Sequence, residues 1–306
     1  MRFISSRPWV VGCETLSRGE ASDMYRDILV ATGGSPWSEA AVAAAIAIAA
    51  RTDARLRILT VLPDPTAPAP SHIRRGEGAD GSTEPQGQEL LAVAAARAQH
   101  AGVATETICI RGDVAVTILQ TVAARPCDLV ILGTRLVTGK RLRLGDITNI
   151  VTAKVPQPVL LVKQPPPGRV ASPFGPRLLV PTGGSPWSDD AVDSAITLAL
   201  AEGFSICLLH VVPGPPRSRD DVSVMEGRHL LARGETRAAD AGVPTTTVLT
   251  FGEVAHQIVE TAIQQHCDSI IMGARGAMGW KRVMLGDICN IVAVATSLPV
   301  LLVKHF

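Results

Sequence analysis

Aromatic residues are scarce in this chain, at 3% of 306 residues, with a single Tyr and five Phe. A surface that stacks nucleic-acid bases needs a platform of rings, and so few argue against one. Net charge is equally sparse, +1 from 29 Lys and Arg against 28 Asp and Glu, so no overall field draws in a polyanion or an acidic membrane. The six Cys include no C-x-x-C pair, and the seven His are scattered without ligand spacing. No structural metal is expected from them. Cys109 and Cys207 fall inside strand-like runs, and Cys127 and Cys267 immediately precede such runs, which reads as reduced, buried thiols in a cytoplasmic protein. Long apolar runs are missing as well. The best candidate, Ala40 to Ala50, stops at Arg51 and falls far short of the roughly 20 residues that a membrane span needs. Met1 to Pro8 has no sustained apolar stretch of the secretory kind.

What is present is Ala, Val, Ile and Leu, which dominate the 46% of hydrophobic residues. That is the usual filling of parallel sheets covered by helices. The length suits about two domains of about 150 residues each. Residues 1–23 show no clear period and read as an N-terminal extension. From Met24 the text alternates strand and helix. Ile28–Ala31 is a buried strand, and the turn Thr32-Gly33-Gly34-Ser35-Pro36-Trp37 follows it. Ser38 is expected to cap an Ala-rich helix over Glu39–Arg51. A strand over Leu56–Val61 precedes a Pro/Gly-rich loop, Pro63 to Gln88, and then a helix over Glu89–His100 closed by Gly102. Thr105–Ile110, Asp128–Leu132 and Pro158–Val162 read as strands, and Val114–Ala124 and Ile147–Lys154 as helices. Gly133 to Asp146 is a glycine-rich turn.

After a Pro-rich linker, Gln164 to Pro176, the same elements recur. Leu178 to Ser188 repeats residues 28–38 at an offset of 150, and Gly252-Glu253-Val254-Ala255 repeats Gly112 to Ala115 at an offset of 140. Cys267-Asp268 repeats Cys127-Asp128, and Leu298 to Lys304 repeats Gln157 to Lys163. The shrinking offset puts the main deletion between Pro213 and Val224. This is a tandem duplication. The expected fold is α/β, two doubly wound five-stranded parallel sheets, one in 24–163 and one in 177–306. Ligands of such sheets bind beyond the carboxyl ends of the strands, where strand order reverses. The Thr-Gly-Gly-Ser turn and the glycine-rich turn both fall there.

The second glycine-rich turn, Gly273 to Asp287, links an apolar strand to a helix start, an arrangement in which backbone N–H groups converge on an anion. With the Pro-Val-Leu-Leu-Val strands that close both halves, it resembles the universal stress protein family in tandem form, over nearly all of residues 24–305. The family pattern is a Gly, two residues, a Gly, nine residues, then Gly followed by Ser or Thr. Gly273, Gly276 and Gly286 keep that spacing, and Asp287 stands at the hydroxyl position. The resemblance implies a Rossmann-like, adenine-nucleotide alpha hydrolase-like fold. It also implies a stress-response or regulatory role without catalysis, and an adenine-nucleotide site such as one for ATP. That site would be formed here by Pro181, Thr182, Gly183, Val211, Gly273, Arg275, Gly276, Gly286, Asp287 and Ile288. In nucleotide-binding members an Asp after the first strand assists adenine and ribose recognition, and Gly33 and Gly183 stand in its place. The first-half counterparts, Thr32, Gly33, Gly133, Gly145 and Asp146, are degenerate: the turn is one residue short and Leu136 falls where the second Gly belongs.

Two readings of Asp146 and Asp287 stand side by side. Each can cap its helix, with Asn149 or Asn290 three residues on. Alternatively each is a carboxylate in a phosphate nest, where like charges about 4 Å apart cost roughly 1 kcal/mol in water and about four times that near a protein surface unless Mg²⁺ intervenes. Arg135, Lys140, Arg141, Arg275, Lys281 and Arg282 either pair phosphate or are a solvated basic loop. Thr32-Gly33-Gly34-Ser35 and Thr182-Gly183-Gly184-Ser185 faintly resemble the Ser-Gly-Gly-x-Asp-Ser loop of PP-loop adenylating enzymes, but Pro36-Trp37 and Pro186-Trp187 replace its Asp-Ser. Trp37 and Trp187 are expected to seal helix against sheet. No Ser lies in a Gly-x-Ser-x-Gly elbow, so Ser-His-Asp catalysis is not supported. Asp113 and Glu253 read as acids favoured by a helix dipole. The strands over 158–162 and 299–303 are very apolar for edges and are expected to pair with each other inside the chain, with a homodimer as a further step. An interaction protein with no nucleotide site is the alternative, and an ATP-cleaving or adenylating enzyme a third.

Overall fold

The computed structural model describes residues 24–63, 84–135, 144–164, 173–215, 218, 221–274 and 287–305. In the first half, β1 (Asp27–Ala31) leads into α1 (Pro36–Thr52), β2 (Arg55–Leu62), α2 (Glu84–His100) and β3 (Thr105–Arg111). Then come α3 (Val114–Ala124), β4 (Leu129–Gly133), α4 (Asp146–Lys154) and β5 (Val159–Val162). The second half repeats this as β6 (Arg177–Pro181), α5 (Pro186–Glu202), β7 (Ser205–Pro213), α6 (Val222–Asp240) and β8 (Thr245–Gly252). It ends with α7 (Val254–Gln264), β9 (Ser269–Gly273), α8 (Asp287–Ala295) and β10 (Val300–Val303).

All these strands join one sheet in the order β3-β2-β1-β4-β5-β10-β9-β6-β7-β8. Pairing is parallel within each half, and strand order reverses between β1 and β4 and again between β6 and β9. The halves meet where β5 and β10 pair antiparallel, Val300 opposite Leu161 and Leu302 opposite Val159. Both strands read Val-Leu-Leu-Val and are buried throughout. Apart, each would be an apolar edge with unpaired backbone groups; together they remove both edges. The outer strands β3 and β8, rich in Thr and half-exposed, form the ends of the sheet. Alternate strand residues face opposite layers. Ile28 and Val30 join a core with α1 and α2, and Leu29 joins the core on the opposite face. An Arg51–Glu202 ion pair also crosses from one half to the other.

Several local expectations change. Ser35, not Ser38, caps α1: its hydroxyl accepts from Ser38 N at 3.3 Å, and Pro36 takes the first helical position, where a missing N–H costs nothing. Ser185 does the same for α5. Helix α2 starts at Glu84 rather than Glu89, so residues 84–88 belong to the helix and not to the loop. Gly87 is there for packing, since a Cβ would stand 2.8 Å from Leu62 Cδ2. Asp146 and Asp287 are not the caps of α4 and α8. They are the first residues of those helices, and Gly145 caps α4 with no side-chain hydrogen bond. A carboxylate in the first turn still meets the positive end of the dipole. Asp113 and Glu253, by contrast, cap α3 and α7 directly, accepting from Val116 N at 2.9 Å and from His256 N at 2.7 Å.

Beneath the sheet, Asp128 and Asp268 clamp the start of the first strand of each half. Asp128 Oδ2 accepts from Arg26 N at 2.8 Å and Asp27 N at 2.9 Å, and Asp268 Oδ2 from Arg177 N at 3.1 Å. The repeated Cys-Asp dipeptide is thus a strand anchor.

Candidate functional site

At the carboxyl end of β1, the Thr32 amide donates to the Leu59 carbonyl at 2.9 Å and the Thr60 hydroxyl donates to the Thr32 carbonyl at 3.0 Å. The loop is thereby fixed to β2. In the second half Thr182 N donates to Leu209 O at 2.8 Å, but His210 Nδ1, 2.9 Å from the Thr182 carbonyl, does the work of Thr60. That contact requires the proton on Nδ1. Gly227 makes room for the ring, since a Cβ there would lie 2.4 Å from His210 Cδ2. Gly34 and Gly184 turn the loop with φ of 77° and 73°, a region where a side chain is strained. Gly33 and Gly183 are exposed, with ordinary φ and no atom of the described residues within 4 Å of a would-be Cβ. The position where the family carries Asp therefore has room for a side chain in both halves.

The glycines that end β4 and β9 have a packing reason. A Cβ on Gly133 would stand 2.3 Å from the Trp37 carbonyl oxygen, and one on Gly273 would stand 2.2 Å from that of Trp187. The first turns of α1 and α5 lie directly on these strand ends through the Trp backbone, and the Trp187 ring stands edge-on to His305 just past β10. Across the cleft, Asp146 and Asp287 are exposed at the starts of α4 and α8, Ile288 is 43% exposed, and Pro181, Thr182 and Val211 line the strand ends, the last two buried. Thr32 is engaged in the first half: its hydroxyl donates to Glu39 Oε1 at 3.2 Å, and Glu39 is ion-paired with Arg97. Arg275, Gly276 and Gly286 lie outside the described residues, as do Leu136, Lys140, Arg141, Lys281 and Arg282.

Four buried polar residues at the seam were not singled out as site residues in the sequence. Lys163 and Lys304 follow β5 and β10 and are 4% and 5% exposed. Burial holds Lys163 down to about 7 and Lys304 to about 8. Lys163 Nζ donates to the Arg135 carbonyl at 3.3 Å, and Lys304 Nζ donates to the Thr152 carbonyl of the other half. Asn290 Oδ1 accepts from Leu144 N at 3.3 Å, so the end of the first glycine-rich turn is held by the second half; Asn149 is its buried first-half counterpart. The repeated Lys after the closing strand was the available signal. Among the described residues, no group of three His, Cys, Asp or Glu could hold a metal ion, and no helix is long and apolar enough to cross a membrane.

The model of the Universal stress protein family matches residues 24–163 and again 176–304. A universal stress protein of Bacillus subtilis is 30% identical over 145 residues, 42% of this chain and 98% of that protein. One of Methanocaldococcus jannaschii is 33% identical over 138 residues, 42% of this chain and 81% of that protein. Among solved structures, a universal stress protein from Archaeoglobus fulgidus superposes with a TM-score of 0.71 at 21% identity, covering 92% of this chain and 98% of that one.

Proposed function

The chain belongs to the universal stress protein family, as two tandem domains, and we propose that it is a non-catalytic regulatory member whose one adenine-nucleotide site lies in the second domain. The observation that carries this reading is the Gly273–Gly276–Gly286 spacing, intact in the second half and broken in the first. Thr182 and Val211 form a buried floor at the strand ends, and among the described residues nothing stands within 4 Å of a Cβ at Gly183, which leaves room for a ribose there. Asp287 works against a triphosphate. Its carboxylate, in the first turn of α8, repels the phosphates unless Mg²⁺ bridges them, so the site takes ATP weakly and less charged adenine nucleotides more readily. The first-domain residues Thr32, Gly33, Gly133, Gly145 and Asp146 hold no nucleotide in this reading. Free thiols at Cys109, Cys127, Cys207, Cys267 and Cys289 suit a reducing, cytoplasmic setting.

Calorimetric titration with ATP, AMP and cyclic AMP, each with and without Mg²⁺, tests the proposal. Binding at one site per chain, with ATP gaining most from Mg²⁺, is the expected result. Silence for every nucleotide removes the claim. It would favour the second reading, an interaction protein with no ligand, which the acidic residue at both helix starts supports.

A further inference from the structure

The two ends of the sheet are built differently. Each half finishes on its third strand, β3 in the first and β8 in the second, and among the described residues β8 has β7 as its one strand neighbour. Strand β3 carries charge near both ends, with Glu106 ion-paired to Arg125 and Arg111 to Glu84. Charges on an outer strand discourage another chain from pairing with it. At the corresponding positions β8 has Thr246 and Phe251, and Thr245–Gly252 contains no charged residue. None of its eight residues is buried, and Thr246 and Thr247 are exposed. The backbone of β8 divides by twos. Ile206 N donates to the Pro244 carbonyl at 2.9 Å and Gly214 N to the Gly252 carbonyl at 3.3 Å, so the even-numbered residues between them are committed to β7. Thr245, Thr247, Leu249 and Phe251 therefore turn their N–H and C=O groups outward along the edge.

We propose that β8 is a pairing edge whose occupant is β8 of a second copy of this chain, antiparallel about a two-fold axis at Val248. About that axis Thr247 stands opposite the partner's Leu249, and Thr245 opposite the partner's Phe251. These are the outward-turned residues, so each opposed pair exchanges two backbone hydrogen bonds, about eight in all. Between them Thr246 stands opposite the partner's Thr250, and Val248 opposite itself. Thr against Thr and an aromatic ring against a β-branched residue are pairings that stabilise antiparallel strands. A strand that complements its own sequence in this way needs no other protein to cover it. Pairing β8 with β3 instead would repeat from copy to copy without closing, and would strip water from Glu106 and Arg111. The two-fold pairing closes at two copies. The chain already joins its own halves in the same manner, since β5 and β10 pair antiparallel with Val300 opposite Leu161. The dimer adds a second seam of that kind, and one sheet then runs through both copies. It uses no residue of the cleft and does not depend on the nucleotide reading.

Analytical ultracentrifugation of the full chain over a concentration series, without nucleotide, reads the association. A monomer–dimer equilibrium with no larger species is expected. Thr247→Pro removes an outward N–H that β7 does not use, and the two-fold makes the loss count twice, so the dimer should weaken at least about tenfold. Thr107→Pro, the same change on β3, should leave the dimer as it is. Circular dichroism melts report whether each variant keeps its fold. Val248→Cys gives a reading that needs no proline: mild oxidation should link two copies through that position, as peptide mapping identifies and dithiothreitol reverses, while Thr107→Cys stays unlinked. A chain that sediments as a monomer throughout the series overturns the inference. So does a dimer that survives Thr247→Pro in folded form, or a linkage that forms at Thr107→Cys and not at Val248→Cys.

Discussion

Replacing Gly273 by Ala separates two explanations of the same glycine. In the family pattern it is the first residue of a phosphate cradle, yet a Cβ there would stand 2.2 Å from the Trp187 carbonyl oxygen, 2.3 Å from its carbon and 2.8 Å from Ser188 N. All three are backbone atoms in the first turn of α5, held by the Ser185 cap, so they cannot rotate aside as a side-chain tip would. The helix start must move by about an ångström against the strand end. Overpacking of a well-filled core costs typically 1–3 kcal/mol, and rigid backbone on both sides puts this case at about 3. For a domain of this size that lowers the melting midpoint by roughly 6 °C or more. Gly183→Ala is the control: among the described residues nothing lies within 4 Å and its φ is ordinary, so restricting the unfolded chain should stabilise by about 0.5 kcal/mol. Thermal melts followed by circular dichroism, without any ligand, compare the two. If Gly273→Ala melts with the parent chain, the packing argument is wrong and the glycine is kept for what approaches it from outside. Gly133→Ala should behave as Gly273→Ala does, since its Cβ would stand 2.3 Å from the Trp37 carbonyl oxygen.

Three further outcomes follow from the site. Gly183→Asp should fit without loss of stability and tighten adenine-nucleotide binding about tenfold, the effect of one charge-assisted hydrogen bond of about 1.5 kcal/mol, as read by titration calorimetry. Asp287→Ser removes a carboxylate from the first turn of α8 and should strengthen ATP more than AMP, by tenfold or more and most in the absence of Mg²⁺; equal changes for both nucleotides would place the carboxylate away from the phosphates. Lys163 and Lys304 are held at about 7 and about 8 when folded and return to the ordinary 10.5 when unfolded. Between those values the unfolded chain binds the extra protons, so stability rises with pH, by about 1.4 kcal/mol per unit for each lysine. Denaturant titrations from pH 7 to pH 10 should show that rise, and Lys304→Met should flatten part of it.

The architecture was legible because each element carries its own signal. The alternation of apolar runs with helical patterns, and the repetition of Leu178 to Ser188 after residues 28–38, require two wound halves, and an all-apolar Val-Leu-Leu-Val strand requires cover, which here joins the halves into one sheet. Helix starts were less legible. Ser35 and Ser38 are equally good caps on paper, and Pro36 decides between them through its missing N–H. Asp146 looked like a cap and is the next residue along, since Gly145 supplies the extended conformation a cap needs. At the cleft, spacing revealed the glycines but not why Gly133 and Gly273 are retained. That reason is contact with a helix far away in the chain. Nor could spacing reveal that Asn290 supports Leu144 from the other half. These contacts are created by strand order, and nothing local marks them.

The duplication shows which of these features the fold demands and which it merely permits. The Ser cap on α1 and α5, the Asp clamp on the first strand, the glycine under each Trp carbonyl and the lysine behind each closing strand occur in both halves. Each solves a problem set by the sheet itself, so each half needs it irrespective of any ligand. The exchanges are elsewhere: Thr60 against His210 under the cleft, and Asp27 with Arg57 against Arg177 with Cys207 at the far end. Neither exchange is a conservative repair. Arg57 is buried with Asp27 as its partner, whereas Arg177 stands at the Asp27 position, is half-buried and meets Thr246 and Gln265. At the seam Leu144 is held by Asn290, and Thr152 by Lys304, so the second half supports the end of the first half's glycine-rich turn and its closing helix. The chain is therefore one unit rather than two joined copies, and the halves differ at positions the shared sheet does not constrain.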